Sequence, residues 1–157
     1  MISNEANGKR QALEIKKAQS ADISDIAQLA AKMWDHPVEE LAEEFKALAE
    51  NPEAALFAAV AKNEIIGFAQ CQLRHDYVDG CSTSPVGYLE GIYVDDRWRR
   101  QGVAGALLRA CEEWARSKGC TEFASDCELD NADSLRFHQS LGFGEAGRII
   151  CFTKRLS

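Results

Sequence analysis

The segment Arg99-Arg100-Gln101-Gly102-Val103-Ala104-Gly105 joins two unlike patterns and constrains the chain more than any other stretch. Before it lies Val86 to Val94, an apolar run with strand character. After it, Val103, Ala106, Leu107, Ala110, Cys111 and Trp114 recur at helical spacing, opposed by Arg109, Glu112, Glu113 and Arg116, and Gly119 stops the helix. A helix start exposes unpaired backbone N–H groups and carries partial positive charge. Small residues at 102, 104 and 105 allow a pyrophosphate to approach those groups, with Arg99 and Arg100 adding charge beside it. No Gly-Lys-Ser/Thr follows, so this is not a Walker loop, nor does it match GxGxxG. The plainer alternative is a glycine-bearing loop that only turns the chain into a helix.

The remaining patterns place that turn within a single α/β domain. Ile15 to Ala18 predicts a first strand. Asp22 is placed to cap a helix with Ile23, Ile26, Ala27, Ala30, Met33 and Trp34 on one stripe, and Pro37 ends it or starts the next turn. A second helix is expected from Val38 to Glu50, then strands Ala55 to Ala61 and Ile65 to Leu73 joined at Lys62-Asn63-Glu64. A polar loop from Arg74 to Pro85 leads to the Val86 strand. Beyond the strong helix come a strand from Cys120 to Asp126 and a helix from Asn131 to Leu141, capped by Gly142. One or two strands are expected from Phe143 to Arg155. This order implies a mixed sheet with helices on both faces. Residues 1–12 read as an N-terminal extension and 13–157 as the domain.

Composition narrows the partners. The net charge of −7 opposes nucleic acid and suits a cationic small molecule. No apolar run is long enough to span a bilayer, and Met1 to Gln11 lacks a signal peptide's apolar middle, so no membrane and a cytoplasmic location are expected. Six cysteines occur without a CxxC pair, which predicts free thiols and no metal site.

Two motifs carry a family resemblance. Arg99-x-x-Gly102-x-Ala104, after a strand ending Ile92-Tyr93-Val94, resembles the coenzyme A signature of the GNAT superfamily of acetyltransferases. Asn131-x-x-Ser134-x-x-Phe137-His138-x-x-Leu141-Gly142-Phe143 resembles that superfamily's other motif, in the right order and over roughly residues 15 to 155. The resemblance implies a GNAT-like, mostly antiparallel mixed sheet and acetyl-CoA as cosubstrate. It implies a pantetheine arm along the backbone of Ile92, Tyr93 and Val94. It implies a pyrophosphate held by Arg99, Arg100, Gln101, Gly102, Val103, Ala104 and Gly105, and a pantetheine contact from Asn131. His138 stands where the superfamily usually has a tyrosine, the acid for the departing thiolate.

A second resemblance is narrower. Arg74-His75-Asp76-Tyr77-Val78-Asp79-Gly80-Cys81, Ser84-Pro85-Val86, Leu89-Glu90-Gly91-Ile92 and Ala124-Ser125-Asp126 are similar to the aminoglycoside 6′-N-acetyltransferases. That likeness implies a polycationic amine acceptor, with Trp34, His36 and Tyr77 as pocket walls; the alternative is that these three are ordinary loop and core residues.

Glu90 stands inside an apolar strand, where a carboxylate is costly to bury without a partner. Gly91 marks a candidate bulge that re-aims it. Asp126 ends the next strand, at the edge where open α/β sheets bind ligands. Two carboxylates from neighbouring strands can bracket one ammonium group and take its proton, which an alkylamine of pKa about 10 must lose before attack. Backbone N–H groups near Ile92 would stabilise the oxyanion, and His138 would protonate the sulfur. The alternative is that Glu90 pairs with a buried arginine and Asp126 caps a loop. Rival functions are acetylation of a protein amine and non-catalytic sensing of acyl-CoA. The final strand, Ile149 to Lys154, alternates weakly, and the resemblance to related enzymes implies that it forms an edge shared between two chains, a homodimer.

Overall fold

The computed structural model describes residues 12–157. All but the last residue of the expected extension, 1–12, lies outside the described residues. In chain order the elements are β1 (Glu14–Lys17), α1 (Ile23–Ala30), α2 (Val38–Glu50), β2 (Ala54–Ala61), β3 (Glu64–Arg74), β4 (Val86–Val94), α3 (Val103–Ser117), β5 (Phe123–Ala124) and α4 (Ala132–Ser140). The five strands form one sheet in sequence order. The first three pairings are antiparallel, and β4 meets β5 in parallel.

Helices cover both faces, and the strands divide their side chains between them. Ala55, Ala59, Ala61, Ala69, Cys71 and Leu89 pack with Leu107, Leu108, Cys111 and Trp114 of α3. On the opposite face Leu56, Ala58 and Phe68 meet Ile26, Ala27, Ala30, Leu41 and Phe45 of α1 and α2. The alanine-rich sequence of β2 permits this double coverage, because small side chains let helices approach from both sides.

Three expectations need correction. Asp22 precedes α1 but does not cap it; its carboxylate accepts from the Gln19 N–H at 2.8 Å and faces Lys16 Nζ at 3.2 Å. The strand expected from Cys120 to Asp126 contracts to Phe123–Ala124, pairing only Gly87 with Phe123 and Tyr88 with Ala124. At the next step the Ser125 side chain replaces the backbone ladder, Oγ lying 3.3 Å from the Leu89 carbonyl. The strands expected from Phe143 to Arg155 do not form. Phe143 packs against the core, but beyond it Ile149, Ile150, Phe152 and Leu156 are exposed. A strand exists by pairing, and this segment meets no partner edge among the described residues.

Candidate active site

The short β5 creates the first component. From Leu89 to Val94, the edge of β4 away from β3 has no strand beside it among the described residues. At roughly 3.3 Å per residue this open edge runs about 17 Å, from the Leu89–Ser125 vertex to the turn into α3.

At the far end of that edge stands the helix start. Gly102 is the N-cap of α3 with φ 80°, a left-handed conformation that glycine adopts without a Cβ penalty. A Cβ there would meet nothing within 4 Å, so the backbone faces open space. The first intrahelical bond comes from the Ala106 N–H to the Gly102 carbonyl, at 3.1 Å. The preceding N–H groups, at Val103, Ala104 and Gly105, are those a helix leaves unpaired. This fits an anion. Arg100 is exposed beside the turn, itself at φ 60°. Arg99 does not join it: Nε donates to the Val94 carbonyl at 3.0 Å, Nη1 pairs with Asp96 at 2.9 Å, and the guanidinium lies over Tyr93. Two expected contacts, Arg99 and the Val94 carbonyl, are thus spent on each other. The Gln101 amide likewise folds back to the Arg97 carbonyl at 3.2 Å.

The acidic cluster lies toward the vertex. In the register of β3 with β4, Gln70 opposes Gly91 and Cys71 opposes Leu89, leaving Glu90 as the extra residue of a bulge. The bulge switches the faces of β4: Leu89 precedes it on the α3 side, and Ile92 follows on the same side. Glu90 is turned onto Arg74, which forks across both carboxylate oxygens at 2.9 and 3.2 Å, with Nε at 3.1 Å from the first. The alternative partner foreseen for Glu90 is therefore real, though Arg74 is half-buried rather than enclosed. The same guanidinium lies flat over the Tyr88 ring, 3.4 Å from its centroid. The Tyr88 hydroxyl donates to Asp126. Burial, and then that bond, push the Tyr88 hydroxyl well above its usual range, so it stays a proton-bearing donor. Arg74, Glu90, Tyr88 and Asp126 form one connected group carrying a single net negative charge.

Trp34 closes one side. Its ring packs so tightly on the bulge that a Cβ at Gly91 would come within 2.7 Å of it, and Phe45 and Phe68 support the ring from behind. His36 and Tyr77 are not drawn in. His36 is exposed, and Tyr77 is 81% exposed on the loop after β3.

Across the vertex, α4 supplies His138. Its Nδ1 lies 2.7 Å from the Ser134 carbonyl and its Nε2 lies 2.8 Å from Ser125 Oγ. Asn131 caps the helix, its Oδ1 accepting from the Ser134 N–H at 3.0 Å, which leaves its amide NH2 for other contacts.

An open strand edge ending at a helix start with unpaired N–H groups is what the coenzyme A motif requires, and residues 22–143 match the acetyltransferase (GNAT) family. The chain belongs to the GNAT acetyltransferase family. Its mixed sheet, splayed between β4 and β5, is the GNAT fold. Among relatives of this GNAT chain, the aminoglycoside N(6′)-acetyltransferase type 1 of Stenotrophomonas maltophilia is 42% identical over 141 residues, covering 88% of this chain and 90% of the relative. The enzyme of the same name from Acinetobacter haemolyticus is also 42% identical, covering 92% and 99%. In three dimensions, AAC(6′)-Iy in complex with the bisubstrate analogue CoA-S-monomethyl-acetylneamine superposes with a TM-score of 0.87 at 37% identity, covering 92% of this chain and 99% of that one. AAC(6′)-Ih from Acinetobacter baumannii gives 0.90 at 34% identity, covering 93% and 100%.

Of the residues expected in the site of this GNAT acetyltransferase, the structure brings together Glu90, Asp126 and Trp34, with His138 across the vertex. Gly102 to Gly105 lie at the other end. Arg74, Tyr88 and Ser125 carry the contacts that join these groups, yet sequence reasoning gave them no role. A parity count gives one available signal: Tyr88 and Glu90 lie two apart on β4, and the preceding strand ends in an arginine.

Proposed function

We propose that this chain transfers the acetyl group of acetyl-CoA to the 6′-amino group of aminoglycoside antibiotics, and so confers resistance to them. One observation carries the reading. A single open strand edge connects an anion-binding helix start to a cluster bearing one net negative charge. That arrangement suits a substrate with a diphosphate at one end and an amine acceptor at the other. The relatives' names supply the acceptor class.

In this reading the N–H groups of Val103, Ala104 and Gly105 hold the pyrophosphate, with Arg100 beside it. The free amide of Asn131 and the β4 edge at Ile92 and Tyr93 orient the pantetheine arm. Glu90 is neutralised by Arg74 and acts as a fixed anion that orients the ammonium. Asp126, hydrogen-bonded by Tyr88, takes the ammonium proton, directly or through water. Trp34 offers an aromatic face to the acceptor.

The test is thiol release across aminoglycosides with and without a free 6′-amine. Turnover only with those bearing the amine is expected; acetylation of peptide amines alone, or no thiol release with any amine, would refute the assignment. Within the mechanism, Asp126→Asn is expected to lower kcat about 100-fold and Glu90→Gln to act mainly on KM. Normal turnover in both variants would remove the carboxylate mechanism.

A homodimer and a cytoplasmic location belong to the same reading. The exposed Ile149, Ile150 and Phe152 offer an apolar strand that a second copy would cover, and truncation after Arg148 should give a monomer by light scattering. The cysteines are free thiols, as in a reducing compartment.

A further inference from the structure

The vertex where β4 and β5 part is closed by a side chain, not by backbone. Ser125 Oγ sits there, 3.3 Å from the Leu89 carbonyl and 2.8 Å from His138 Nε2. The other ring nitrogen settles the proton positions. A carbonyl only accepts, so Nδ1, 2.7 Å from the Ser134 carbonyl, carries a hydrogen. Ser134 Oγ, 3.3 Å from Nδ1, is a second and longer neighbour of the same N–H. In the neutral ring Nε2 is then bare, and Ser125 donates its hydroxyl hydrogen to it. When the ring gains a proton, Nε2–H donates to Ser125 Oγ instead, and the serine hydrogen is freed to turn to the Leu89 carbonyl, 3.3 Å away, or to an acceptor in the notch. Serine has one hydroxyl hydrogen, so these two directions are exclusive.

We infer that Ser125 is a further catalytic residue, which passes a proton from His138 to the departing sulfur. This rests on the acetyl-CoA reading above, in which the arm lies along the open edge of β4 and its acyl end reaches the Leu89–Ser125 vertex. The step balances. As the tetrahedral adduct collapses, the C–S bond breaks and its electron pair goes to sulfur. The Ser125 hydroxyl proton bonds to that sulfur, and Oγ takes the proton from His138 Nε2, leaving the ring neutral with Nδ1–H still on the Ser134 carbonyl. The substrate ammonium sheds two protons in becoming an amide. One recharges the ring for the sulfur, and the other leaves to solvent. His138 is thereby the residue that positions and recharges Ser125, and it need not touch the sulfur itself.

Thiolates leave readily, thiols having a pKa of about 8.5, so the effect should sit at the low end for general acid catalysis. The experiment uses the full chain and its Ser125→Ala and His138→Gln variants. Three measurements are taken: acetyl-CoA calorimetry, kcat and KM with an aminoglycoside bearing a 6′-amine, and ring-nitrogen NMR. The chain has only three histidines, and the signal missing in His138→Gln assigns His138. Ser125→Ala should bind acetyl-CoA as the parent does, keep both KM values, and lose kcat about 10- to 100-fold. The double variant should be no worse than either single one. NMR of the parent should show the Nδ1–H tautomer. Parental kcat in Ser125→Ala, or an Nε2–H tautomer, would overturn the inference while leaving acetyl transfer intact. No acetyl-CoA binding by the parent chain would overturn the functional reading, and this inference with it.

Discussion

Removing Arg74 should uncouple the acidic cluster, and the size of the effect follows from its geometry. The closest N···O distance to Glu90 is 2.9 Å. Coulomb's law at that distance gives about 1.4 kcal/mol at the dielectric of water and about 6 kcal/mol at an effective constant near 20. The Arg74 side chain is 38% exposed and Glu90 20%, so the pair lies nearer the watery limit than a buried one. The two-oxygen fork restores some of what screening removes, and a coupling of about 1.5–2 kcal/mol results. Arg74→Met also loses the stack on Tyr88, worth about 0.5–1 kcal/mol more. The assay is a double-mutant cycle by urea unfolding with Arg74→Met and Glu90→Gln. Arg74→Met should cost about 2–3 kcal/mol, Glu90→Gln about 1.5–2 kcal/mol, and the double variant little more than the first. In a chain of this length Arg74→Met should lower Tm by about 6 °C. Arg74→Lys keeps the charge without the fork and should recover less than half of the loss. Additive costs within about 0.5 kcal/mol would refute the reasoning. Glu90 would then be free to act as a base in its own right.

Further outcomes follow from the same contacts. Tyr88→Phe removes the donor to Asp126 and should lower kcat/KM about tenfold at a stability cost near 1 kcal/mol, measured by steady-state kinetics beside urea unfolding. Gly91→Ala puts a methyl into the Trp34 ring; about 1–3 kcal/mol of destabilisation and a red-shifted tryptophan emission are expected. Asp95 is buried, and hydrogen bonds from Arg97, opposed by its own burial, hold its carboxyl below the usual range. Its stabilising effect is present above its ordinary pKa of about 3.9 and lost as pH falls through the lower folded value. The difference in urea midpoint between the parent and Asp95→Asn should accordingly be full at pH 7 and shrink below pH 4.

The sheet and its helices were legible because their signals are local and redundant. The α3 stripe repeats over four turns, and the Lys62-Asn63 turn, with positive φ at both residues, marks the hairpin between β2 and β3. The helix start at Gly102 was legible for the same reason. What escaped the sequence depended on pairing between distant segments. Residues 120 to 126 allow a full strand by their pattern, but the ladder ends where Ser125 Oγ lies against the Leu89 carbonyl. Residues 149 to 154 alternate like a strand, yet alternation says nothing of which edge will receive them. Arg99 looked like a phosphate ligand by its charge, whereas its position five residues after Val94 lets it fold back onto that carbonyl. The destination of a long side chain is not written in its spacing.

The position of Glu90 separates two jobs that equal carboxylates would otherwise share. Had β4 continued without a bulge, Glu90 would have opposed Cys71 and kept an ordinary place in the ladder. The extra residue instead delivers its carboxylate to Arg74, while Asp126 arrives from the end of β5 and receives only a neutral hydroxyl. Glu90 meets a guanidinium that reaches both of its oxygens, whereas Asp126 meets a single neutral hydroxyl. These different partners support the proposed division, with binding given to Glu90 and proton transfer to Asp126. The cluster keeps one net negative charge, enough to attract an ammonium group and to release a neutral amide once that charge is gone.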